Sequence, residues 1–112
     1  MIVSAWTDGH GTYGLRVLAR EVSLWFRPEW ERVELELPDR AEAVPITLTE
    51  SFWHGSPELR SPQIRDFFVR HGLRKWPRNQ PPRFELEPLG GGRFRLKLLE
   101  RTVGQRALPL DV

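Results

Sequence analysis

The sequence predicts a small α+β domain rich in β-structure, with its sheet bent or rolled into a partly open barrel. Three observations favour this class. Short segments of alternating apolar and polar residues recur along the chain, one amphipathic segment has helix-start and helix-stop residues, and a Gly-rich turn joins two alternating segments near the C-terminus. The 112 residues suffice for one hydrophobic core, so we expect a single domain over residues 1–112.

The N-terminal half of the chain reads as a series of strands. Ile2–Trp6 is a short first strand, Glu31–Leu37 is the clearest alternating segment, and Val44–Leu48 follows after a turn. Gly14–Phe26 fits either two strands or one helix. We favour two strands, because β-branched and aromatic residues are frequent there and no strong cap residue precedes Leu15.

One helix is well marked, at about residues 62–71. Ser61 suits the N-cap and Pro62 the first helical position, and Gly72 ends the helix. The apolar stripe consists of Ile64, Phe67, Phe68 and His71, at helical spacing. We therefore expect this helix to cover one opening of the barrel.

A C-terminal β-hairpin is predicted over about residues 83–99. If it turns around Gly90, Phe84 lies opposite Leu96 and Leu86 lies opposite Phe94, so all four side chains share the face that packs on the core.

The N-terminal segment Gly9–Gly14 matches the spacing G-x-G-x-x-G of dinucleotide-binding proteins. That motif requires a strand before it and a helix after it, whereas this chain predicts mostly strands. In addition, Asp8 stands where a pyrophosphate would bind. We therefore interpret Gly9, Gly11 and Gly14 as part of a turn.

Charge is distributed unevenly, although the net charge is only +2. Residues 1–59 carry five arginines against ten acidic residues, and residues 60–97 carry ten basic against three acidic residues. Local ion pairs are expected for Arg93 with Glu87, Arg95 with Glu85, and Arg70 with Asp66. The basic residues left without a local acid are Arg60, Arg65, Arg74, Lys75, Arg78, Arg83 and Lys97.

This surplus predicts a nucleic-acid-binding module without catalysis, whose partner is DNA or RNA. In this hypothesis Trp76 stacks on a base. The phosphates bind to Arg65, Arg74, Lys75, Arg78, Arg83 and Lys97.

An alternative of equal weight pairs the cations after the helix with an acidic strand face. In it, the basic loop meets Glu31, Glu34 and Glu36, within one chain or across a dimer, and the protein is a protein-interaction or self-assembly module. Trp76 would then serve equally well as a core plug at the end of the barrel.

Other chemistry has weaker signals. The absence of cysteine excludes disulfides and thiolate metal sites, and the three histidines are too dispersed for one short element to gather, so we expect no metal and no cofactor. A small hydrolase drawn from residues 50–61, with His54 and Ser51 or Glu58, is a second alternative that lacks the G-x-S-x-G motif. No apolar run is long enough to span a membrane, so we expect a soluble, cytoplasmic protein.

Overall fold

Seven strands form one mixed sheet in the computed structural model, which describes residues 1–99. The strands are β1 (Ile2–Thr7), β2 (Tyr13–Arg16), β3 (Arg32–Glu36), β4 (Val44–Thr47), β5 (Glu58–Arg60), β6 (Arg83–Gly90) and β7 (Arg93–Leu98). The helices are α1 (Ala19–Trp25), α2 (Glu50–His54) and α3 (Pro62–Arg70).

The sheet has the order β4-β3-β7-β6-β1-β2-β5, and neighbouring strands are antiparallel except for the parallel pair β3 and β7. It rolls into a nearly closed, barrel-like form with one seam, between β4 and β5. The predicted β-rich α+β class is therefore confirmed.

Alternation along the strands places the core inside the curved sheet. Leu35, Phe84 and Leu86 are fully buried, as are Ile64, Phe67 and Phe68 on α3. The ring of Phe68 stacks on that of Phe84 at a centroid distance of 5.9 Å. The apolar residues of α3 thus pack on the core, and the helix starts where expected, with the Ser61 hydroxyl accepting a hydrogen bond from Ile64 N at 3.1 Å.

The preferred prediction of two strands across residues 14–26 is wrong for its second half, because residues 19–25 form α1. None of the α1 residues is buried, so the alternating pattern there did not mark a core face. Phe26, which follows the helix, enters the core and stacks on Phe94 at 4.8 Å. Within residues 1–99, no helix has both the length and the apolar character that crossing a membrane requires.

The C-terminal hairpin is present, but its predicted register is wrong by two residues. Phe84 lies opposite Leu98, and Leu86 lies opposite Leu96, with an irregularity between Pro88 and Gly90. Because side chains alternate with a period of two, this shift leaves Phe84 and Leu86 on the core face.

Candidate nucleic-acid interface

The basic loop, which we define as residues 74–78, lies between α3 and β6. It is anchored on both sides of its cations. Leu73 N donates a hydrogen bond to Phe68 O at 2.8 Å, and the half-buried side chains of Leu73 and Trp76 pack against the core. A turn closes the loop, with Gln80 N donating to Pro77 O at 3.0 Å. The loop is therefore held to the body of the protein through its apolar residues.

Three cations of the basic loop are exposed: Arg74, Lys75 and Arg78. None of them forms an ion pair with any residue in the described range 1–99. A cation without a counter-charge can bind a phosphate without first breaking an existing pair. These three side chains are consequently the strongest part of the predicted site.

The acidic strand face is neutralised by other residues. Glu34 lies 3.3 Å from Arg32, its neighbour on β3. Glu36 contacts Arg93 at 3.3 Å and Arg95 at 3.1 Å, both on the parallel strand β7, and the hydrogen bonds from these guanidinium groups lower the pKa of Glu36. Among the described residues, neither these two acids nor Glu31 forms an ion pair with residues 74–78, so the predicted pairing of the basic loop with Glu31, Glu34 and Glu36 inside one chain is wrong.

Two residues at the C-terminal end of α3 bind an acidic residue of the turn that follows β3. Arg70 Nε lies 2.7 Å from Asp39 Oδ2, and His71 Nε2 lies 3.1 Å from the same oxygen. The bond from Arg70, followed by the one from His71, lowers the pKa of Asp39, and Asp39 raises the pKa of Arg70. Arg70 thus hydrogen-bonds to Asp39 rather than to its predicted ion-pair partner Asp66, although the charge of Asp66 also helps to raise the pKa of Arg70.

The other predicted phosphate-binding residues lie on α3, β6 and β7 rather than in the basic loop itself. Lys97 was expected to lack an acid, which is wrong, because its Nζ lies 3.2 Å from Glu87 Oε1. Arg83, at the start of β6, already has an interaction partner within the protein. Arg65 is near the start of α3, where it lines a cavity together with Arg60.

The two ion pairs predicted across the hairpin, Arg93 with Glu87 and Arg95 with Glu85, do not form because of the register shift. Arg95 rather than Arg93 lies opposite Glu87, at 3.7 Å between Nη1 and Oε1, and Lys97 lies opposite Glu85.

A buried carboxylate was missed by sequence reasoning. The Glu58 side chain is 1% exposed, and its Oε2 accepts hydrogen bonds from Arg16 Nε at 3.2 Å and Nη2 at 2.5 Å. Its Oε1 accepts from Arg60 Nη2 at 2.7 Å. The Arg60 guanidinium also lies over the Trp6 ring at 4.7 Å. The pairing of β2 with β5 brings these groups together, and nothing local in the sequence indicates that pairing.

The contacts of Glu58 bear on the hydrolase alternative. Ser51 and His54 are exposed on α2, whereas the Glu58 carboxylate is already bound by two guanidinium groups. The cavity of about 220 Å³ that Glu58 lines at the seam includes neither Ser51 nor His54. Within the described residues, no cluster of three or more His, Asp or Glu side chains is arranged to bind a metal ion. The geometry gives the hydrolase no support.

Gly9 and Gly11 of the glycine motif lie in the turn between β1 and β2, as expected, whereas Gly14, which was predicted to belong to the same turn, lies in strand β2. Asp8 Oδ1 accepts hydrogen bonds from His10 N at 2.7 Å and Thr12 N at 3.1 Å, and the bond from His10 lowers the pKa of Asp8. Gly9 and Gly11 have φ values of 81° and 105°, a region that favours glycine. The turn leads into a strand rather than a helix, and a carboxylate already binds its N–H groups.

Comparisons with known proteins add no identification. No family model, no curated protein and no solved structure matches this chain. The function proposed below therefore depends on the charges and contacts of the described residues.

Proposed function

We propose that the protein binds nucleic acid without catalysing a reaction, and that the basic loop contacts the phosphate backbone. One observation carries the proposal: Arg74, Lys75 and Arg78 are exposed within five residues and have no ion pair in the described range, although the arginines on β7 and at the end of α3 are paired. Phosphate contacts from arginine and lysine supply most of the affinity of non-specific nucleic-acid binding.

Trp76 gives this surface a second mode of contact. It lies between the cations in sequence, and its half-buried side chain packs against the core, so its position does not depend on a ligand. Stacking of a base on an aromatic side chain contributes about 1–3 kcal/mol and tolerates any base. We infer that the exposed part of the Trp76 ring stacks on a base of a single strand while the neighbouring cations bind its phosphates.

The number of cations sets the expected salt dependence. Each neutralised phosphate contributes a slope of about −0.7 to −0.9 to the plot of log affinity against log salt concentration. Three contacts give a slope of roughly −2 to −3, so affinity should fall about 20- to 40-fold between 50 and 200 mM salt.

The test is a fluorescence-anisotropy titration of generic DNA and RNA oligonucleotides at these two salt concentrations. We expect the double reversal Arg74→Glu with Lys75→Glu to abolish measurable binding at 200 mM salt. The matched control is Arg20→Glu with Arg27→Glu, which changes the net charge equally at exposed positions on and just after α1. Equal losses in both variants, or binding that ignores salt, would show that the basic loop is not the site.

Self-assembly by docking of basic and acidic faces is the second candidate. It is less well supported, because Glu34 and Glu36 are already paired with arginines of the sheet. Light scattering at low and high salt distinguishes the two. Salt-sensitive dimers that do not bind oligonucleotides favour assembly, and a monomer that binds them favours the nucleic-acid function.

A further inference from the structure

We propose that a cavity beside the start of α3 binds a phosphoryl group. The cavity has a volume of about 370 Å³ and lies between the β1–β2 turn and the first turns of α3. Its walls include Gly11, Thr12, Tyr13, Arg60, Ser61 and Arg65. Among the described residues, two arginines and no acidic residue line it.

The first arginine is held in place by the buried carboxylate. Arg60 donates one hydrogen bond to Glu58 Oε1 at 2.7 Å, and its guanidinium lies 4.7 Å from the centre of the Trp6 ring. A guanidinium has five N–H donors, so this bond leaves others for a ligand. The position opposite both Trp6 and Arg60 in the sheet is Gly14, which has no side chain to separate them. Arg60 is therefore preorganised, which reduces the entropy lost on binding.

The second arginine forms no ion pair within residues 1–99. Arg65 is exposed, and it follows the fully buried Ile64, so the core fixes its backbone position. The group of Arg16, Glu58 and Arg60 keeps one positive charge in excess, and Arg65 adds a second. A phosphate monoester carries a charge of about −1.5 to −2 at pH 7. The charge of the cavity thus matches that of one terminal phosphoryl group.

This site differs from a glycine-rich phosphate cradle. In such a cradle the N–H groups of the turn bind the phosphate, whereas here Thr12 N and His10 N donate to Asp8. The Ser61 hydroxyl oxygen already accepts from Ile64 N, so only its O–H is left for a ligand, and Pro62 has no N–H. The positive charge of the site therefore comes from the two guanidinium groups, which form paired hydrogen bonds to phosphate oxygens.

The site is also separate from the basic loop, which follows the opposite end of α3. Its proposal does not depend on the nucleic-acid function, and each can fail without the other.

The test is a ¹⁵N NMR titration that observes backbone amides and arginine Nε–Hε groups, with inorganic phosphate and adenosine 5′-monophosphate as probes. We expect shifts at Arg60, Arg65 and Tyr13. Arg65→Ala should weaken binding about tenfold, since it removes charge-assisted hydrogen bonds. Arg65→Lys should recover part of the loss, because lysine keeps the charge but not the planar fork. The control Arg20→Ala should change nothing.

Two oligonucleotides with the same sequence, with and without a 5′-phosphate, identify the source of the phosphoryl group. Tighter binding of adenosine 5′-monophosphate than of either strand indicates that the ligand is a free nucleotide. Tighter binding of the 5′-phosphorylated strand indicates that the ligand is a strand end. Either result supports the site. The proposal is overturned if Arg60 and Arg65 do not shift, or if Arg65→Ala and Arg20→Ala behave alike. Reversal of Arg74 and Lys75 should leave the phosphate titration unchanged.

Discussion

Replacing the buried carboxylate of Glu58 should destabilise the protein more than any exposed acidic substitution. Glu58→Gln keeps the shape of the side chain but removes the charge that three hydrogen bonds from Arg16 and Arg60 share. The amide also turns one acceptor into a donor that faces a guanidinium. We therefore expect the strands β2 and β5 to lose their strongest polar connection.

The size of the stability loss depends on how far the two partner arginines are exposed to water. A hydrogen bond to a charged group contributes about 1.5–3 kcal/mol, but the Arg16 and Arg60 side chains are 47% and 45% exposed, so water compensates much of the loss. We expect the free energy of unfolding to fall by about 2 kcal/mol. For a domain of this size that corresponds to a decrease in Tm of about 10 °C.

Urea and thermal unfolding, followed by tryptophan fluorescence and circular dichroism, measure this change. The matched control is Glu42→Gln, an exposed acid for which we expect a change within about 0.5 kcal/mol. If Glu58→Gln is as stable as Glu42→Gln, the buried carboxylate does not stabilise the sheet and the reasoning fails.

Two further predictions concern a close backbone contact and an acidic side chain. In Gly14→Ala, the new Cβ would lie 2.4 Å from Leu59 O, so the backbone of β5 must move. We expect urea unfolding to show that the free energy of unfolding falls by about 3 kcal/mol. The control Gly9→Ala, whose Cβ meets nothing within 4 Å, should lose about 1 kcal/mol. The Asp39 pKa is lowered from its ordinary value of 3.8, chiefly by Arg70, so Asp39 stabilises the folded state above that value and this contribution is lost as pH falls through the lower, folded pKa. The difference in unfolding free energy between the protein and Asp39→Asn should thus be largest at neutral pH and should shrink below about pH 4. A difference that stays constant in urea titrations down to pH 2 would contradict this assignment.

The fold class was predictable because alternation and helix caps are local signals. Ser61 and Pro62 mark the start of α3, and the apolar residues of β3 and β6 mark their core faces. The register of β6 with β7 was not predictable, since a shift of two residues satisfies the same pattern. Helix α1 was missed because Leu18 offers no capping side chain and the helix buries no residue, so tertiary context decides its conformation.

The candidate site was likewise predictable only where the signal is local in the sequence. The exposure of Arg74, Lys75 and Arg78 agrees with the sequence analysis, because a run of cations within a few residues cannot easily be buried. The partners of the other arginines depend on contacts between distant strands. Glu36 meets Arg95 only because β3 and β7 are parallel neighbours, and Arg70 meets Asp39 across 31 positions. No rule based on residue spacing finds such pairs.

The strand order has a consequence for the synthesis of the chain. Strands β3 and β4 pair with each other, and β1, β2 and β5 form a second group; in the described sheet, β6 and β7 provide the hydrogen-bonded connection between the two groups. A nascent chain whose first 60 residues have left the exit tunnel therefore carries two separate groups of strands with unpaired edges. We expect cooperative folding to wait until the last hairpin leaves the exit tunnel, and nascent chains stopped before residue 83 to remain sensitive to protease.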